Sequence, residues 1–462
     1  MNNKQQPLIF DFFSILFTGV IFLNFINIDT LFKITILNTS FILIFLLINF
    51  YKKSSILKIF KKLRIILLVT VVLSIIKFLF FGAQTYLELV IFPDILLLFL
   101  FLLPRVLLNM KEFKVNFIKD YQASKKGTLV IGGLGYIGSG VVLDLLKNGE
   151  KVSVLDCCMY GDDVLKKFNK FSNFNFIRGY ASDVIKLGKL LRENSKVVHL
   201  AGLVGDPACA LSEEDTRYFN IKTTNIIKDL CFEYEIQRLI FASSCSVYGK
   251  TDELCLENSP TNPVSLYAKT KLDSEKELLE SKIDTKILRF STIFGPAERL
   301  RFDLVVNLFI AQAYYDKKIT VFGGDQIRPF LHVQDASNSI KNFINYKITG
   351  TQEIYNVGCD KLNYTINEIA KLIEKNVKGS TIVLSSENVD ARNYAVSFKK
   401  YNNIFKNENF TTVHESIDQF NRIFEGNKID YKKNIYSNLL TTKAFIHNNK
   451  SELKNINNFN YE

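Results

Sequence analysis

The chain has 462 residues and a formal net charge of +12, and hydrophobic residues make up 48% of it. That length predicts about three structural units. Beyond residue 110, basic and acidic residues are mixed and no basic helix is interleaved with aromatic residues, so a nucleic-acid partner is not expected. The seven cysteines are odd in number and have no paired metal-ligand spacing. We therefore expect reduced cytosolic thiols and no metal site.

The most hydrophobic part of the chain lies before residue 110 and contains four apolar stretches. Each is close to the roughly 20 residues that a helix needs to cross a hydrocarbon core of about 30 Å. A cleaved signal peptide would explain only one stretch, and helices of a soluble core normally have a polar face, which these lack. We therefore predict a four-helix transmembrane region over 1–110 and a linker over 111–126. The predicted spans are about 8–28, 34–51, 65–81 and 87–108.

Basic residues in the connecting segments predict the orientation of this region. Six lysines and arginines lie between residues 51 and 64 without an acidic residue, whereas the segment 82–86 contains none. More basic residues follow the fourth stretch, among them Arg105 and Lys111. Because positive charges stay on the cytoplasmic side, we place the amino terminus and everything after Met110 in the cytoplasm, at the inner membrane.

An apolar run that ends in glycines opens the part of the chain after the linker. Gly127 to Ile131 leads into Gly-Gly-Leu-Gly-Tyr-Ile-Gly at 132–138, and a helical pattern follows. The glycines allow a tight turn and let a pyrophosphate approach the amides at the helix amino end, where the helix dipole favours an anion. Asp156 ends the next predicted strand, where a carboxylate would bind the ribose hydroxyls of NAD and repel the extra phosphate of NADP. The combination predicts a Rossmann-type domain that binds NAD.

A serine, a tyrosine and a lysine form a candidate catalytic set. A predicted strand ends in Ser244, and Tyr267 and Lys271 follow four residues apart, on one face of a predicted helix. We expect the lysine ammonium and the nicotinamide cation to lower the pKa of the phenol toward the working pH. Tyr267 would then act as general base, and Ser244 would donate a hydrogen bond to the substrate oxygen. His199 lies within another apolar run and is interpreted as a packed strand residue.

These motifs resemble those of extended short-chain dehydrogenases/reductases of the nucleotide-sugar epimerase/dehydratase family. The resemblance covers about Thr128 to Phe398. Besides the glycine loop, Asp156 and the Ser/Tyr/Lys set, it includes Val247-Tyr248-Gly249, Phe294-Gly295-Pro296 and Arg328-Pro329-Phe330.

The resemblance implies a role for each matching position. Ser244, Tyr267 and Lys271 are implied as catalytic residues. Cofactor contacts are implied for Gly132, Gly135, Tyr136, Ile137, Gly138, Asp156, Leu200, Ala201, Tyr267 and Lys271. Substrate contacts are implied for Ser244, Asn307, Arg328 and Arg392, with the two arginines binding a sugar diphosphate. A surface salt bridge is the alternative for each arginine, and a helix cap for Asn307.

Two departures from the family pattern bear on the chemistry. Gly179 is followed by Tyr180 rather than by the acid that often touches adenine, so the adenine contact stays open. Sugar 4,6-dehydratases of the family carry Asp-Glu directly after the Ser/Thr, whereas this chain has Cys245-Ser246. Elimination of water is therefore disfavoured.

We predict an epimerase that oxidises one sugar hydroxyl transiently to a keto sugar and reduces it again from the other face, so that NAD is regenerated in each turnover. An NAD(P)-dependent ketoreductase or dehydrogenase would use the same Ser/Tyr/Lys chemistry and is the main alternative. A membrane protein that only senses NAD or a sugar nucleotide is less favoured, because a sensor would tolerate loss of Tyr267 or Lys271 and both are present. The expected setting is surface polysaccharide or glycan biosynthesis.

The chain is expected to form an α/β Rossmann domain with a doubly wound parallel sheet over 127–290. A smaller mixed α/β substrate domain, partly interleaved with it, is predicted over 291–426 and includes a helix from Asn367 to Ile373. From residue 427 the chain is rich in Asn and Lys, and we expect a loosely ordered tail. A catalytic domain beside the bilayer makes a lipid-diphosphate-linked sugar an alternative to a nucleotide-linked one. Otherwise the helices only localise the enzyme or hold it as a homodimer.

Overall fold

The computed structural model describes residues 126–347, 352–385, 390, 392–406 and 409–449. The four predicted membrane spans and all but the last residue of the predicted linker lie outside these ranges. Within the described ranges no helix has both the length and the apolar character needed to cross a membrane.

Seven parallel strands form the central sheet. In order across the sheet they are β3 (Phe174–Arg178), β2 (Val152–Asp156), β1 (Thr128–Ile131), β4 (Lys196–His199), β5 (Arg238–Ser244), β7 (Thr285–Phe290) and β11 (Glu353–Val357). The strands read as apolar runs because both faces of a parallel sheet are covered; all four residues of β1 are buried. The strand order reverses between β1 and β4, and ligands of such sheets bind at the carboxyl ends of the strands at this point.

Helices cover both faces of this sheet. On one face α1 (Tyr136–Lys147) packs against α9 (Val333–Asn345), and Leu145 and Phe343 belong to the same buried cluster. The other face is covered by α3 (Val184–Glu193), α6 (Thr223–Glu233) and α7 (Leu266–Leu279). Short helices in the connections are α2 (Leu165–Phe168), α4 (Asp206–Cys209) and α5 (Glu213–Arg217).

The rest of the described chain forms a smaller layer of short sheets and helices with a core of its own. Its strands are β8 (Thr292–Phe294), β9 (Lys318–Phe322), β10 (Ile327–His332), β12 (Asn363–Thr365), β13 (Thr381–Ser385) and β14 (Asn393–Val396), and β14 pairs with β6 (Lys250–Cys255). Its helices are α8 (Val305–Ala311), α10 (Ile366–Asn376) and α12 (Val413–Gly426). Helix α11 (Lys399–Ile404) instead packs on the core of the central sheet through Tyr401. The predicted helix at 367–373 is confirmed as part of α10.

The two parts are interleaved along the chain, as the sequence predicts. Strand β11 and helix α9 come from the carboxy-terminal half, yet β11 pairs with β7 and α9 packs against α1. Conversely, β6 leaves the central sheet directly after the catalytic strand and pairs with β14. This exchange brings residues near 300, 328 and 392 to the same edge of the sheet as Ser244.

The expectation of a loosely ordered tail from residue 427 is wrong for the part that the structure describes. Helix α13 (Asn438–Asn448) follows a helical turn at Asn434–Tyr436. Asn438 is 3% exposed and Thr442 is fully buried. The prediction fails because a polar composition does not exclude a helix that buries only one side, here partly with side chains that accept and donate hydrogen bonds.

Candidate active site

The glycine loop between β1 and α1 is built so tightly that side chains would not fit. Gly132 has φ +85°, and a Cβ there would lie 2.7 Å from the Ala201 nitrogen. A Cβ at Gly138 would lie 2.2 Å from the Gly132 carbonyl oxygen. Gly135 caps α1 without a side-chain hydrogen bond, and no acidic residue stands in the first turn. The amino end of α1 therefore fits a pyrophosphate, which accepts hydrogen bonds from the free amides of a first helical turn.

Asp156, at the end of β2, holds this loop in place. Its carboxylate accepts hydrogen bonds from the Leu134 amide at 2.9 Å and from the Cys158 amide at 2.8 Å. Burial raises the pKa of Asp156, and the two amide bonds oppose that shift. A carboxylate offers about four acceptor positions, so Asp156 keeps acceptor positions for the ribose hydroxyls of NAD.

The remaining predicted cofactor positions line the same crevice, with one difference. Leu200 and Ala201 follow β4, and both amides donate to the Ile131 carbonyl, at 2.9 and 3.0 Å. Ile137 packs against the core beneath the loop. The Tyr136 side chain points elsewhere, because its hydroxyl donates to the Gly295 carbonyl and accepts from the Asn307 amide at 3.1 Å. The backbone of Tyr136 is the part that can serve the cofactor.

The catalytic residues predicted from the sequence come together at the carboxyl end of β5. Ser244 ends that strand, and its hydroxyl lies close enough to the Tyr267 side chain to lower the pKa of the phenol. Lys271 is 4% exposed, its ammonium donates to the Ala242 carbonyl at 2.8 Å, and it lies 5.9 Å from the centre of the Tyr267 ring. His199 is buried and pairs with the Thr224 hydroxyl at 3.0 Å, as expected of a packed strand residue.

The predicted lowering of the Tyr267 pKa is not what the described residues alone produce. Burial raises the pKa of Tyr267, and Cys209 and Asp206 raise it further, whereas the hydrogen bond to Ser244 and the charge of Arg301 lower it. Burial also lowers the pKa of Lys271, to about 8. The lysine is thus still mostly charged at neutral pH but loses its charge as the pH rises through about 8, and burial of the phenol outweighs its effect on the pKa of Tyr267. The positive nicotinamide ring of bound NAD is the further charge that favours the phenolate.

Glu275 and Arg289 form a buried ion pair beside β5 that the sequence pattern did not predict. Glu275 is 1% exposed and accepts three hydrogen bonds from Arg289, at 2.6, 3.0 and 3.2 Å. It accepts another from the Ser243 hydroxyl. Arg289 also donates to the Tyr248 hydroxyl at 3.0 Å. Because Glu275 is one helical turn beyond Lys271, α7 is tied to β5 at two successive levels. In the sequence, the four-residue spacing of Tyr267, Lys271 and Glu275 would have indicated that Glu275 lies on the same face of the helix.

Asn220 makes two buried contacts near the candidate site that the sequence did not predict. It lies in a wide helical turn, Tyr218–Lys222, between α5 and α6. Its amide accepts from the Leu203 nitrogen at 2.8 Å and donates to the Thr270 hydroxyl at 3.0 Å. Asn220 therefore connects the loop after β4 to the helix that carries Tyr267 and Lys271.

The two arginines predicted to bind a diphosphate converge on one carboxylate. Arg328 forms an ion pair with Asp390 at 3.1 Å, and the Arg392 Nε lies 2.9 Å from the same carboxylate. Nη1 of Arg392 lies 2.8 Å from Asp206 Oδ2. The arginine charges lower the pKa of Asp390 despite its burial. The structure thus brings both arginines together, in a salt-bridge network rather than in isolated surface pairs.

Asn307 is not the helix cap that was the alternative to a substrate contact. It is fully buried in the first turn of α8, whose cap is Leu304, so it is not a helix cap. Its amide accepts from the Gly295 nitrogen at 2.8 Å and donates to the Arg301 carbonyl at 2.8 Å. A substrate contact from Asn307 would have to replace one of these bonds, and its contact with substrate stays a prediction.

Helix α13 packs beside Tyr267 and against the loops that follow β2 and β4. Phe445 and Ile446 pack into an apolar cluster with Leu203, Cys209, Tyr218, Phe219, Met159, Tyr180 and Tyr267. The cluster contains Tyr267 and also Met159, which lies in the loop after β2, three residues beyond Asp156 at the end of that strand. Tyr180, which replaces the acid expected near adenine, lies 6.5 Å from Phe445 between ring centres.

Comparison with known proteins agrees with this geometry. The model of the NAD dependent epimerase/dehydratase family matches residues 128–358, which is half of the chain. The chain belongs to this family. A UDP-glucuronate 4-epimerase of Thermodesulfobacterium geofontis is 30% identical over 266 residues, covering 54% of this chain and 79% of that protein. An uncharacterized UDP-glucose epimerase of Bacillus subtilis is 32% identical over 225 residues, covering 46% of this chain and 70% of that protein.

A solved structure supports the same assignment. The UDP-glucuronic acid 4-epimerase from Bacillus cereus, in complex with UDP-glucuronic acid and NAD, matches with a TM-score of 0.58 and 26% identity. The match covers 65% of this chain and 100% of that chain. The predicted Rossmann-type fold, the cofactor NAD, and an NAD-dependent epimerase of the extended short-chain dehydrogenase/reductase type are therefore confirmed.

Within this epimerase/dehydratase family, the two residues after Ser244 bear on acid/base chemistry at a second carbon, which stays disfavoured here as a prediction. Cys245 is 1% exposed and its thiol donates to the Arg289 carbonyl at 3.2 Å. Burial raises the pKa of Cys245 above its ordinary value. Ser246 is 2% exposed. Neither side chain can supply the carboxyl pair that elimination of water requires.

Proposed function

We propose that the chain is a membrane-anchored epimerase that inverts one hydroxyl-bearing carbon of a nucleotide-linked sugar. The observation that carries this proposal is the convergence of Ser244, Tyr267 and Lys271 at the carboxyl end of β5 beside the glycine loop, with no carboxyl pair directly after Ser244. The Arg328/Arg392 pair supplies positive charge for the diphosphate of such a substrate.

In the proposed reaction the residues of the chain move one proton and orient one oxygen. Tyr267 accepts the proton of the sugar hydroxyl, and Ser244 donates a hydrogen bond to the same oxygen as it becomes a carbonyl. Lys271 stabilises the phenolate. NAD, which the glycine loop and Asp156 would hold, would supply the hydride acceptor for the oxidation and the hydride donor for the reduction from the opposite face. Tyr267 then gives the proton back, so that protons and electrons balance over one turnover.

Purification of the full chain in detergent, followed by incubation with UDP-sugars without added NAD, tests the proposal. We expect interconversion of epimers by the wild type and loss of it in Tyr267→Phe, with NAD released from both proteins on denaturation. Stoichiometric consumption of added NAD(P)H would favour a ketoreductase or dehydrogenase instead. Inactivity of the wild type toward every UDP-sugar, with turnover of a polyprenyl-diphosphate sugar, would move the substrate to a lipid carrier.

The membrane anchor is part of the proposal and rests on the four apolar stretches before residue 110. The basic residues between 51 and 64 support a cytoplasmic catalytic part, whose product would supply a membrane glycosyltransferase in polysaccharide or glycan synthesis. Membrane fractionation of the full chain and of a chain that lacks residues 1–110 tests the anchor. Equal sedimentation of both with membranes would contradict it. If the same region holds the chain as a homodimer, deletion of residues 1–110 should convert the dimer to a monomer, which a measurement of the oligomer mass would detect.

A further inference from the structure

Asp206 is the first residue of the short helix α4, at the end of the loop that follows β4. The preceding Gly205 has φ +98°, a conformation that favours glycine, and it sets the direction in which the chain enters α4. Its Oδ2 lies 2.8 Å from an amino group of Arg392. The carboxylate is thus anchored on one side to an arginine that the proposed function assigns to the diphosphate.

The other oxygen of this carboxylate has no such anchor. Asp206 Oδ1 is buried and accepts no hydrogen bond from the residues that the structure describes. Buried carboxylate oxygens nearly always accept hydrogen bonds, because loss of hydration without replacement is unfavourable. An open acceptor beside Arg392 and near Tyr267 therefore points to a donor on the ligand that these residues would bind.

Asp206 is also close to the reacting group. Helix α4 packs against α7, and Cys209 of α4 shares an apolar cluster with Tyr267. The pKa of Tyr267, raised mainly by burial, is raised further by the negative charge of Asp206. A nucleotide sugar carries its diphosphate at one carbon and its reacting hydroxyl at another. Asp206, between Arg392 and Tyr267, would then face the sugar ring itself.

We propose that Asp206 is a specificity residue that accepts a hydrogen bond from a hydroxyl or amide N–H of the sugar and excludes a sugar carboxylate. The substrate is then a nucleotide-linked neutral hexose rather than a nucleotide-linked uronic acid. This inference rests on the proposed function. Its physical basis is that two carboxylates repel strongly in a partly desolvated site, whereas a neutral donor completes the open acceptor.

The test compares UDP-glucose and UDP-N-acetylglucosamine with UDP-glucuronate as substrates of the full chain in detergent. We expect kcat/KM to be at least about tenfold higher for the better neutral sugar than for UDP-glucuronate, a difference of about 1.4 kcal/mol. In Asp206→Asn, which keeps the shape and removes the charge, this ratio should fall at least about tenfold.

Asp390→Asn is the matched control, because Asp390 also pairs with Arg392 and its effect acts through the diphosphate that all three substrates share. It should change kcat/KM for all of them by a similar factor and leave the ratio unchanged. If Asp206 only holds Arg392, Asp206→Asn will behave like the control. Binding of the same three ligands to Tyr267→Phe, measured by calorimetry, gives the preference independently of turnover.

The outcomes separate the two proposals. Epimerisation of UDP-glucuronate as the preferred substrate, or an unchanged ratio in Asp206→Asn, would overturn the role of Asp206 and leave the proposed function standing. Absence of turnover and of binding for all three ligands would overturn both.

Discussion

The ammonium of Lys271 donates a 2.8 Å hydrogen bond to the carbonyl of Ala242, two residues before Ser244 on strand β5. This bond fixes the distance between the strand that ends in the catalytic serine and the helix that carries the catalytic tyrosine. One turn further, Glu275 and the Ser243 hydroxyl repeat the connection. The catalytic groups therefore owe their positions to buried polar contacts between β5 and α7.

The charge of Lys271 should limit activity at high pH. Burial lowers the pKa of Lys271 to about 8, against the influence of Cys209 and Glu275. The side chain is therefore charged below about pH 8 and neutral above it, and the charged form stabilises the phenolate of Tyr267. We expect kcat/KM of the wild type to fall as the pH rises above about 8. In Lys271→Arg the charge persists to above pH 12, so this decline should disappear even if the rate is lower throughout.

The same pH series in Lys271→Met provides the control. Without a cation the rate should fall by about 10²–10⁴-fold, the usual range for loss of a general-base function. A decline above pH 8 that is identical in the wild type and in Lys271→Arg would assign the titration to another group.

The buried pair of Glu275 and Arg289 should matter for stability. Glu275→Gln removes the charge that faces Arg289 at 2.6 Å in a site where both side chains are almost fully buried. Removing one partner of a buried ion pair costs about 3–5 kcal/mol. Denaturant unfolding should show a loss in this range. Glu213→Gln, which breaks an exposed pair with Arg217, should change stability by less than about 1 kcal/mol. Equal losses in both variants would contradict the buried role.

Asp156 should control both cofactor affinity and cofactor choice. Its carboxylate holds the Leu134 and Cys158 amides and stands where a ribose phosphate would lie. In Asp156→Ser we expect the affinity for NAD to fall. The preference for NAD over NADP should also drop at least about tenfold, which corresponds to a binding free energy of about 1.4 kcal/mol. Fluorescence titration with NADH and NADPH measures both. Asp162→Ser, which removes an exposed partner of Arg178, should leave the preference as it is.

The sequence predicted the features whose chemistry is local. The glycine loop, Asp156 and the Tyr267/Lys271 spacing follow from turn geometry and helix periodicity within a few residues, and the structure brings them together as expected. Arg328 and Arg392 were assigned to the diphosphate by resemblance, and in the structure both pair with Asp390.

Contacts between distant parts of the chain were not predictable in this way. Asp206 meets Arg392 only because β6 and β14 pair across the site, a register that no local pattern specifies. The raised pKa of Tyr267 likewise depends on burial among side chains from several elements. The ordered helix α13 was missed because its partners lie far away, as in the 3.3 Å hydrogen bond from Asn438 to the Val204 carbonyl.

Helix α13 should retain the cofactor in its crevice. Asn438 accepts from Arg299 at 2.8 Å and donates to Val204, while Phe445 and Ile446 pack beside Tyr267 and Met159. The helix therefore bridges the loops after β2 and β4 on either side of the cofactor site. NAD could then leave only if α13 moves. An epimerase gains from this arrangement because its NAD is regenerated in place, whereas a reductase must exchange its cofactor in every turnover.

A chain that ends at residue 437 should therefore lose bound NAD during gel filtration and require added NAD for activity. Phe445→Ala should show the same change in milder form, because it removes the aromatic contact with Tyr180 but leaves Asn438 in place. Lys443→Ala, on the exposed side of α13, is the control and should retain NAD like the wild type. The NAD content per chain after denaturation gives the result directly. Undiminished retention in the shortened chain would show that the glycine loop and Asp156 hold NAD without help from α13.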